Sequence, residues 1–501
     1  MKKIVLMFIS ALMASAVNAY DARIGGIYYN LVPKAKIAEV VAGEEKYSGH
    51  VVIPSTVEYE GMTYNVSSVN AAFKECPELT SVVFPKGIKE IKPDTFKECL
   101  NLETVSLPED LQTLGERAFY FCFNLKECRL PESVDSVGAY VFQECHSLTS
   151  TNIPEKQKAV PDGMFYNCHS LVSISIPETV VTIGNSSFCG CSSLESIHIP
   201  AGVTSIGESA FGDCKALTDI SLPTALESIG TNAFYGCDGL VTVVIPEGVT
   251  GDVDCFRQCI HLESVTVPEG ISRLGGFAGC SSLASIEIPV SVTEIIESAF
   301  KDCTGLTSIT LPDQVETIGT EAFSGCKNLG AVCFGSGLTR IYDCAFAACD
   351  GLTAVILPDD IEYIGELAFA NCSNLSSVTV GKGIRYIRRL AFSDCRALED
   401  FYCYAETPPV GMPEGDEINI FYDSYISSAT LHVPASAIET YSSTVPWSEF
   451  GQIVAIEGTD IGEVKASTSS VNSPYYNLGG IRVIQPKCGI YIKDGRKYLK
   501  Q

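Results

Sequence analysis

Cysteine and histidine are the residues in this chain whose types and spacing could do chemistry. The chain holds 22 cysteines in 501 residues, and fifteen of them, from Cys76 through Cys395, each follow a phenylalanine by three positions. That density suits a disulfide framework or a metal site, but the positions argue against both. An odd set of fifteen cannot pair completely. Side chains at one repeat position lie parallel, which fits poorly with the ~90° dihedral that a disulfide needs. No C-x-x-C pair occurs to offer zinc its usual ligand spacing. The spacing therefore predicts buried free thiols packing as small hydrophobes, and no metal. The other seven, Cys128, Cys189, Cys255, Cys333, Cys344, Cys403 and Cys488, are scattered, and whether any of them pair is left open.

His146 and His169 sit one period apart, just after Cys145 and Cys168, so adjacent coils would place them about 5 Å from each other. A metal or catalytic pair needs a third ligand or a recurring carboxylate beside it. None recurs, and hydrogen bonding within a turn is the expected role. No G-x-S-x-G, H-E-x-x-H or Walker-type loop is present. Acidic pairs abound among 60 Asp and Glu, so a glycosidase dyad cannot be singled out. No catalytic residue, cofactor or enzymatic activity is expected. The formal net charge of −26 argues against nucleic acid, which needs clustered Lys and Arg, and against an anionic membrane surface.

The elements that carry these residues follow from repetition. "LTSITLPDQVETIGTEAFSGCKN", from Leu306 to Asn328, is one copy of L-x-x-[IV]-x-[IL]-P-x-x-[VIL]-x-x-[IL]-G-x-x-A-F-x-x-C-x-x, a period of 23 in the solenoid range. Alternation such as Ile309 with Leu311 predicts a short half-buried strand. Pro312 ends it, Val315 and Ile318 form a second apolar pair, and Gly319 marks a bend. Ala322, Phe323 and Cys326 lie on one side of a single helical or 3₁₀ turn, too short to stand without packing. Stacked coils would bury Leu over Leu, Phe over Phe and Cys over Cys. At about 4.8 Å per coil, roughly fourteen coils make a curved rod about 65 to 70 Å long. With 46% hydrophobic and 19% charged residues, the chain has the apolar content for that core.

The phrase L-x-x-I-x-I-P-x-x-V-x-x-I-G-x-x-A-F-x-x-C resembles the BspA-type leucine-rich repeat of bacterial surface proteins. The resemblance implies an α/β leucine-rich repeat solenoid, a parallel β-sheet with short helical or 3₁₀ turns, about 14 coils of 23 residues, capped at both ends. The expected organisation is a signal peptide at 1–19, an N-terminal β cap at 20–75, the array at 76–403, a C-terminal cap at 404–457, a linker at 458–472 and a C-terminal β segment at 473–501. Lys2 and Lys3, an apolar stretch from Ile4 to Met13 and small residues ending at Ala19 carry the first assignment. The last segment has turns at Gly479-Gly480 and Asp494-Gly495 and a basic end, and it resembles the sorting segments that move proteins across the outer membrane of some Gram-negative bacteria. A small terminal β-meander is the alternative. A secreted or cell-surface, outer-membrane-associated monomer without a transmembrane helix is expected. The copies starting at Leu240 and Leu262 lose one and two residues, which predicts a local change of curvature.

In each L-x-x-I-x-I strand the second, third and fifth residues point away from the core. The third is usually Ser or Thr, giving a hydroxylated ladder interrupted by larger groups. Glu103, Lys126, Glu127, Arg129, Glu195, His198, Glu263 and Glu287, with the apolar Val241, Val244 and Ile356, are the candidate binding positions. Hydroxyls also suit an exposed sheet by β propensity alone. The resemblance implies a non-catalytic, adhesin-like module contacting host, matrix or other cell-surface proteins. A glycan- or nutrient-binding protein is the alternative, disfavoured because exposed strand positions show little aromatic character apart from Tyr402.

Overall fold

An offset of 23 residues lets each coil pair with the next in unshifted register, so every side chain lies over its counterpart. The computed structural model describes residues 20–410 and 419–456, together with the backbone of the strands Tyr475–Asn477, Arg482–Val483, Gly489–Lys493 and Arg496–Lys500. The expected signal peptide and linker, and the turns at Gly479-Gly480 and Asp494-Gly495, lie outside the described residues.

The coil from Leu306 shows the pattern. Ser308–Thr310 is exposed, buried, exposed, and pairs in parallel with Ala331–Cys333 through Ser308↔Ala331, Ile309↔Val332 and Thr310↔Cys333. Pro312 cannot continue the ladder, and its carbonyl accepts the Val315 N–H at 3.1 Å to close a turn. Thr317–Ile318 then joins a second parallel ladder, Thr317↔Arg340 and Ile318↔Ile341. The A-F-x-x-C segment departs from the expected helical or 3₁₀ turn. Glu321 (φ 56°) and Gly325 (φ 75°), two residues either side of Phe323, are both left-handed. The physical reason is visible in the donors. Glu321, Phe323 and Gly325 give their N–H groups to Asp343, Ala345 and Ala347 of the next coil at 2.9, 2.7 and 2.8 Å. A helix would use those donors within its own turn. Among the described residues, helical turns occur only near the C-terminal end, at Ile426–Ser428, Ala435–Ala437, Ile438–Ser442 and Trp447–Glu449.

The interior is a set of columns. The rings of Phe300, Phe323, Phe346, Phe369 and Phe392 stack at 5.0 to 5.2 Å with interplanar angles of 8° or less, and all are fully buried. Burying one such ring is worth about 1.5–3 kcal/mol, with about 0.5–1.5 kcal/mol more from ring contact. The repeat cysteines are buried, as their spacing predicts, and they do more than fill space. Cys326, Cys349 and Cys372 donate S–H bonds to the carbonyls of Phe300, Phe323 and Phe346, in the preceding coil, at 3.1, 3.1 and 3.2 Å. A methyl group could not answer those carbonyls. Burial pushes the thiols of Cys280, Cys326 and Cys372 up to about 12. Gly207 and Gly319 also have a different role from the bend expected of them. Neither has positive φ, but an added Cβ would lie 2.6 Å from Asn185 N and 2.7 Å from Glu297 N, so the neighbouring coil leaves no room for one.

The chain divides into two compact units, Met1–His146 and Ser147–Gln501. In the first, Ala22–Ile24, Ile27–Val32 and Ile37–Val41 form an antiparallel set, and Thr56–Tyr59 turns at Glu60-Gly61 into Met62–Asn70. Tyr47 covers Phe73 with ring centroids 4.9 Å apart and takes the Tyr28 N–H on its hydroxyl at 3.0 Å. In the second unit the short copies disturb the stack: register shifts at Gly251/Asp252, and Phe256 to Phe277 opens to 6.1 Å between neighbouring spacings of 5.4 and 5.3 Å. Past the last full repeat, Asp400–Cys403, Thr430–Val433 and Gln452–Ala455 continue the first ladder in parallel over the buried Trp447. Such extensions bring the solenoid to about 16 turns, above the roughly fourteen expected.

Two predictions follow from the columns. Phe323→Ala should cost about 3–5 kcal/mol and Gly319→Ala about 1–3 kcal/mol, read as shifts of the denaturant midpoint at unchanged slope. For the thiols, the folded-state value lies above the unfolded one near 8.5, so their contribution is complete below that pH and is lost as pH climbs towards about 12. Each such thiol adds about 1.4 kcal/mol of lost stability per pH unit in that window. A reduced sample carrying Cys280→Ala, Cys326→Ala and Cys372→Ala should show a flatter fall of stability between pH 9 and 11 than the parent. Equal slopes would remove the thiols as its cause.

Candidate functional site

Because inward positions are committed to the columns, the outward positions of the ladders are the ones free to carry recognition. Each unit presents its own share. In the first, Glu103, Lys126, Glu127 and Arg129 are all exposed. Lys126 Nζ lies 2.8 Å from Glu103 Oε2, both side chains more than half exposed, and Glu127 sits beside Thr104 in the ladder. Such a surface pair contributes at most about 1 kcal/mol, so either charge can be changed without threatening the fold.

In the second unit, Glu195 and His198 share a strand edge; His198 pairs with Ser175 and its Nε2 lies 3.5 Å from Glu178 Oε1. Val241, Val244 and Glu263 come together on adjacent coils. Thr242 pairs with Ser264 and Val244 with Thr266, while the Glu263 N–H donates to the Val241 carbonyl at 2.8 Å. Val244 is 63% exposed, a large value for an aliphatic side chain in a strand. Glu287 is exposed one coil further on. Glu195 and His198 do not reach this group: the coil carrying the exposed Asp219 and Ser221 intervenes, a separation of about 10 Å at strand spacing. Ile356 is half-buried, less open than its strand position implied. Ser173, Ser196, Ser264, Ser285 and Ser308 are exposed between these groups.

Reasoning from large polar interruptions passed over two features. Val172 is 44% exposed at a second strand position, and its carbonyl accepts the Glu195 N–H at 3.1 Å. The signal was present, since an apolar residue stands at an outward strand position. The second ladder also carries aromatic rings. Tyr363 pairs with Tyr386, the Tyr342 and Tyr363 centroids are 6.1 Å apart, and Tyr342 and Tyr386 are each more than a third exposed. Burial, opposed by the nearby Arg388, raises the Tyr363 phenol. Assigning outward positions on the first strand of each coil alone had hidden this strip. On the first sheet, Tyr402 stacks on His432 at 4.1 Å, and His432 Nε2 lies 2.8 Å from Asp400 Oδ1.

Other polar side chains bond to one another. Arg273 bridges Asp252 at 2.7 Å and Glu294 at 3.0 Å along an open groove that Tyr342 also lines. His146 Nε2 lies 2.7 Å from Glu144 Oε2 within its own turn, with its ring on Phe123, whereas His169 Nδ1 lies 2.9 Å from the carbonyl of Gly190 in the next coil. Among the described residues no three His, Cys, Asp or Glu side chains are grouped to hold a metal ion, and no helix is long and apolar enough to cross a membrane.

Comparison with known proteins agrees with this architecture. The model of the BspA type leucine rich repeat region matches residues 68–194, 158–276 and 273–399. A leucine-rich repeat protein from Bacteroides ovatus is 28% identical with a TM-score of 0.62, over 76% of this chain and 94% of that one. A leucine rich cell surface protein from Faecalibacterium prausnitzii is 25% identical with a TM-score of 0.41, over 76% of this chain and 93% of that one. No match is found among curated proteins. Proteins of this repeat type are in general non-catalytic binding scaffolds, and no enzyme family is indicated. The repeats, their register and the family match together make this chain a member of the BspA-type leucine-rich repeat family of bacterial surface proteins.

Proposed function

We propose that this chain is a non-catalytic, surface-displayed binding protein that contacts extracellular or cell-surface proteins, host matrix included, through the outward face of its first sheet. The observation that carries the reading is the exposed group of Val241, Val244 and Glu263 set in a register-matched field of hydroxyls. Isolated exposed valines are ordinary, but an apolar centre rimmed by charge and small polar groups is the anatomy of a protein-binding patch. Shallow, extended sheet suits a large partner better than a small substrate, which needs a concave pocket. Secretion or display at the outer membrane accords with the expected leader and C-terminal segment. A second reading, binding of glycans, is favoured by one observation: the tyrosine strip of Tyr342, Tyr363 and Tyr386 on the second ladder.

The mature chain is expected to bind immobilised extracellular matrix or cell-surface proteins. Glu263→Lys should weaken binding about 2- to 5-fold, as a rim charge beside Val244 does, and Lys126→Glu and Arg129→Glu should each do so at the first unit's own outward strands. Val244→Asp should weaken it about 10-fold or more as a central contact. Denaturant midpoints should stay within about 0.5 kcal/mol of the parent. Parental affinity in all four variants would exclude this face. Binding to arrayed polysaccharides that is lost in Tyr363→Ala and Tyr386→Ala would establish the second reading in its place.

A further inference from the structure

The last coils of the second ladder reverse the charge of the chain. Overall 60 acidic residues outnumber 34 basic ones, yet between Lys382 and Arg396 five basic residues stand against Asp394 alone, and three of them, Arg385, Arg388 and Arg389, flank Tyr386. The ladder register fixes the arrangement. Arg340 pairs with Tyr363 and Tyr363 with Tyr386, so one outward row runs from a guanidinium to two phenol rings. Val410, 54% exposed, bridges Tyr386 at the end of that row. Two residues further along each coil, Tyr342, Gly365 and Arg388 form a second row, in which Gly365 places no side chain between the other two. The Tyr342 ring lies 6.1 Å from that of Tyr363, and Arg388 lies near the Tyr363 phenol.

We infer that this strip binds an acidic polysaccharide with a carboxylate on alternate sugars, its sugar faces on the tyrosines and successive carboxylates on Arg340 and Arg388. The inference rests on the reading of the strip as a glycan site and adds the charge that the glycan must carry. The neighbouring protein carboxylates are already engaged. Glu362 lies 4.0 Å from Arg385, Glu366 lies 2.6 Å from Arg389, and Asp343 accepts the Glu366 N–H at 2.7 Å. Among the described residues no carboxylate lies within ion-pair distance of Arg340 or Arg388. Their charge is unanswered, and a planar guanidinium can grip a ligand carboxylate with two parallel hydrogen bonds. Spacing then selects the ligand. The two arginines stand two coils apart, about 10 Å at strand spacing. A nucleic acid strand carries a charge about every 3.4 Å, so most of its phosphates would find no cation here and would face a chain of net charge −26. A sparsely charged polysaccharide brings one anion to each guanidinium and lays an uncharged sugar over the rings between them. There the C–H faces of the sugar pack on the phenol rings, and the phenol hydroxyls can bond to the sugar hydroxyls.

The test titrates the full chain with two probes by calorimetry: a hyaluronan octasaccharide, with a carboxylate on alternate sugars, and an N-acetylglucosamine hexasaccharide, with none. Hyaluronan should bind about 10-fold or more tightly than the neutral sugar. Arg340→Ala and Arg388→Ala should each weaken hyaluronan binding about 10-fold, and together about 100-fold, while the neutral sugar loses little. Added salt should weaken hyaluronan binding in the parent more than in the double variant. Arg340 is exposed and Arg388 half-buried, so unfolding midpoints should stay at the parent's value, and Arg388→Lys should restore part of the affinity lost in Arg388→Ala. Equal affinity for the two sugars, or parental hyaluronan affinity in the double variant, would overturn the inference and leave a neutral-glycan site standing. No binding of either sugar would overturn the inference together with the glycan reading. Tighter binding of an oligouridylate or of a glutamate-rich peptide than of hyaluronan would overturn it in favour of that partner.

Discussion

Each coil depends on its neighbour for hydrogen bonds that it cannot make alone. The strands supply part of this, but the A-F-x-x-C turn makes the demand absolute. Its left-handed residues aim the N–H groups at positions such as Glu321, Phe323 and Gly325 out of the coil, where only the next coil's carbonyls can receive them. From the other side, the Cys326 thiol answers the Phe300 carbonyl of the coil before. A buried donor or acceptor left unmade costs about 1–3 kcal/mol, several such groups recur in each coil, and the phenylalanine column adds its own burial. The 23-residue period is thereby held fixed, because a missing residue displaces all of these contacts at once. Where residues are missing, the structure absorbs the loss as a register shift at Gly251 and a widened gap between Phe256 and Phe277.

That constraint divides the sequence into two messages. Inward positions repeat because packing and hydrogen bonding repeat. Outward positions answer to solvent and can vary without cost to the stack. Ser and Thr are the background there, and departures such as Val172, Val244 and Glu263 are conspicuous because nothing in the fold requires them. The same logic holds on the second ladder, where Tyr342 occupies the place of the close-approach glycine and Tyr363 and Tyr386 stand in outward positions.

The columns were legible in the sequence because they are periodic: Phe, Cys and Leu at one spacing declare the stack before any coordinates. What was hidden is not periodic in residue type. The left-handed position two before the phenylalanine is Asp94, Arg117, Ser209, Glu321 or Leu367 in different coils, a set with no shared side-chain signature. The conformation is imposed by the neighbouring coil, so a local reading in terms of helix propensity could not find it. Gly319 was noticed for the wrong reason, since sequence does not reveal how closely another coil passes.

A stack in which coils hold only their neighbours has nearest-neighbour stability, so its weakest points are its ends and its irregular coils. In the first unit Tyr47 covers Phe73, and in the second the buried Trp447 lies beyond the last repeat, each closing an apolar face that would otherwise fray. The irregular coils near Gly251 have no such cover, and they lie beside Val244 and Glu263. A partner spanning that face would touch coils on both sides of the weak register, and binding only the stacked form would stabilise it in proportion to occupancy. Recognition and local stability are then coupled at one place in the array, through the same strand pairing that sets its register.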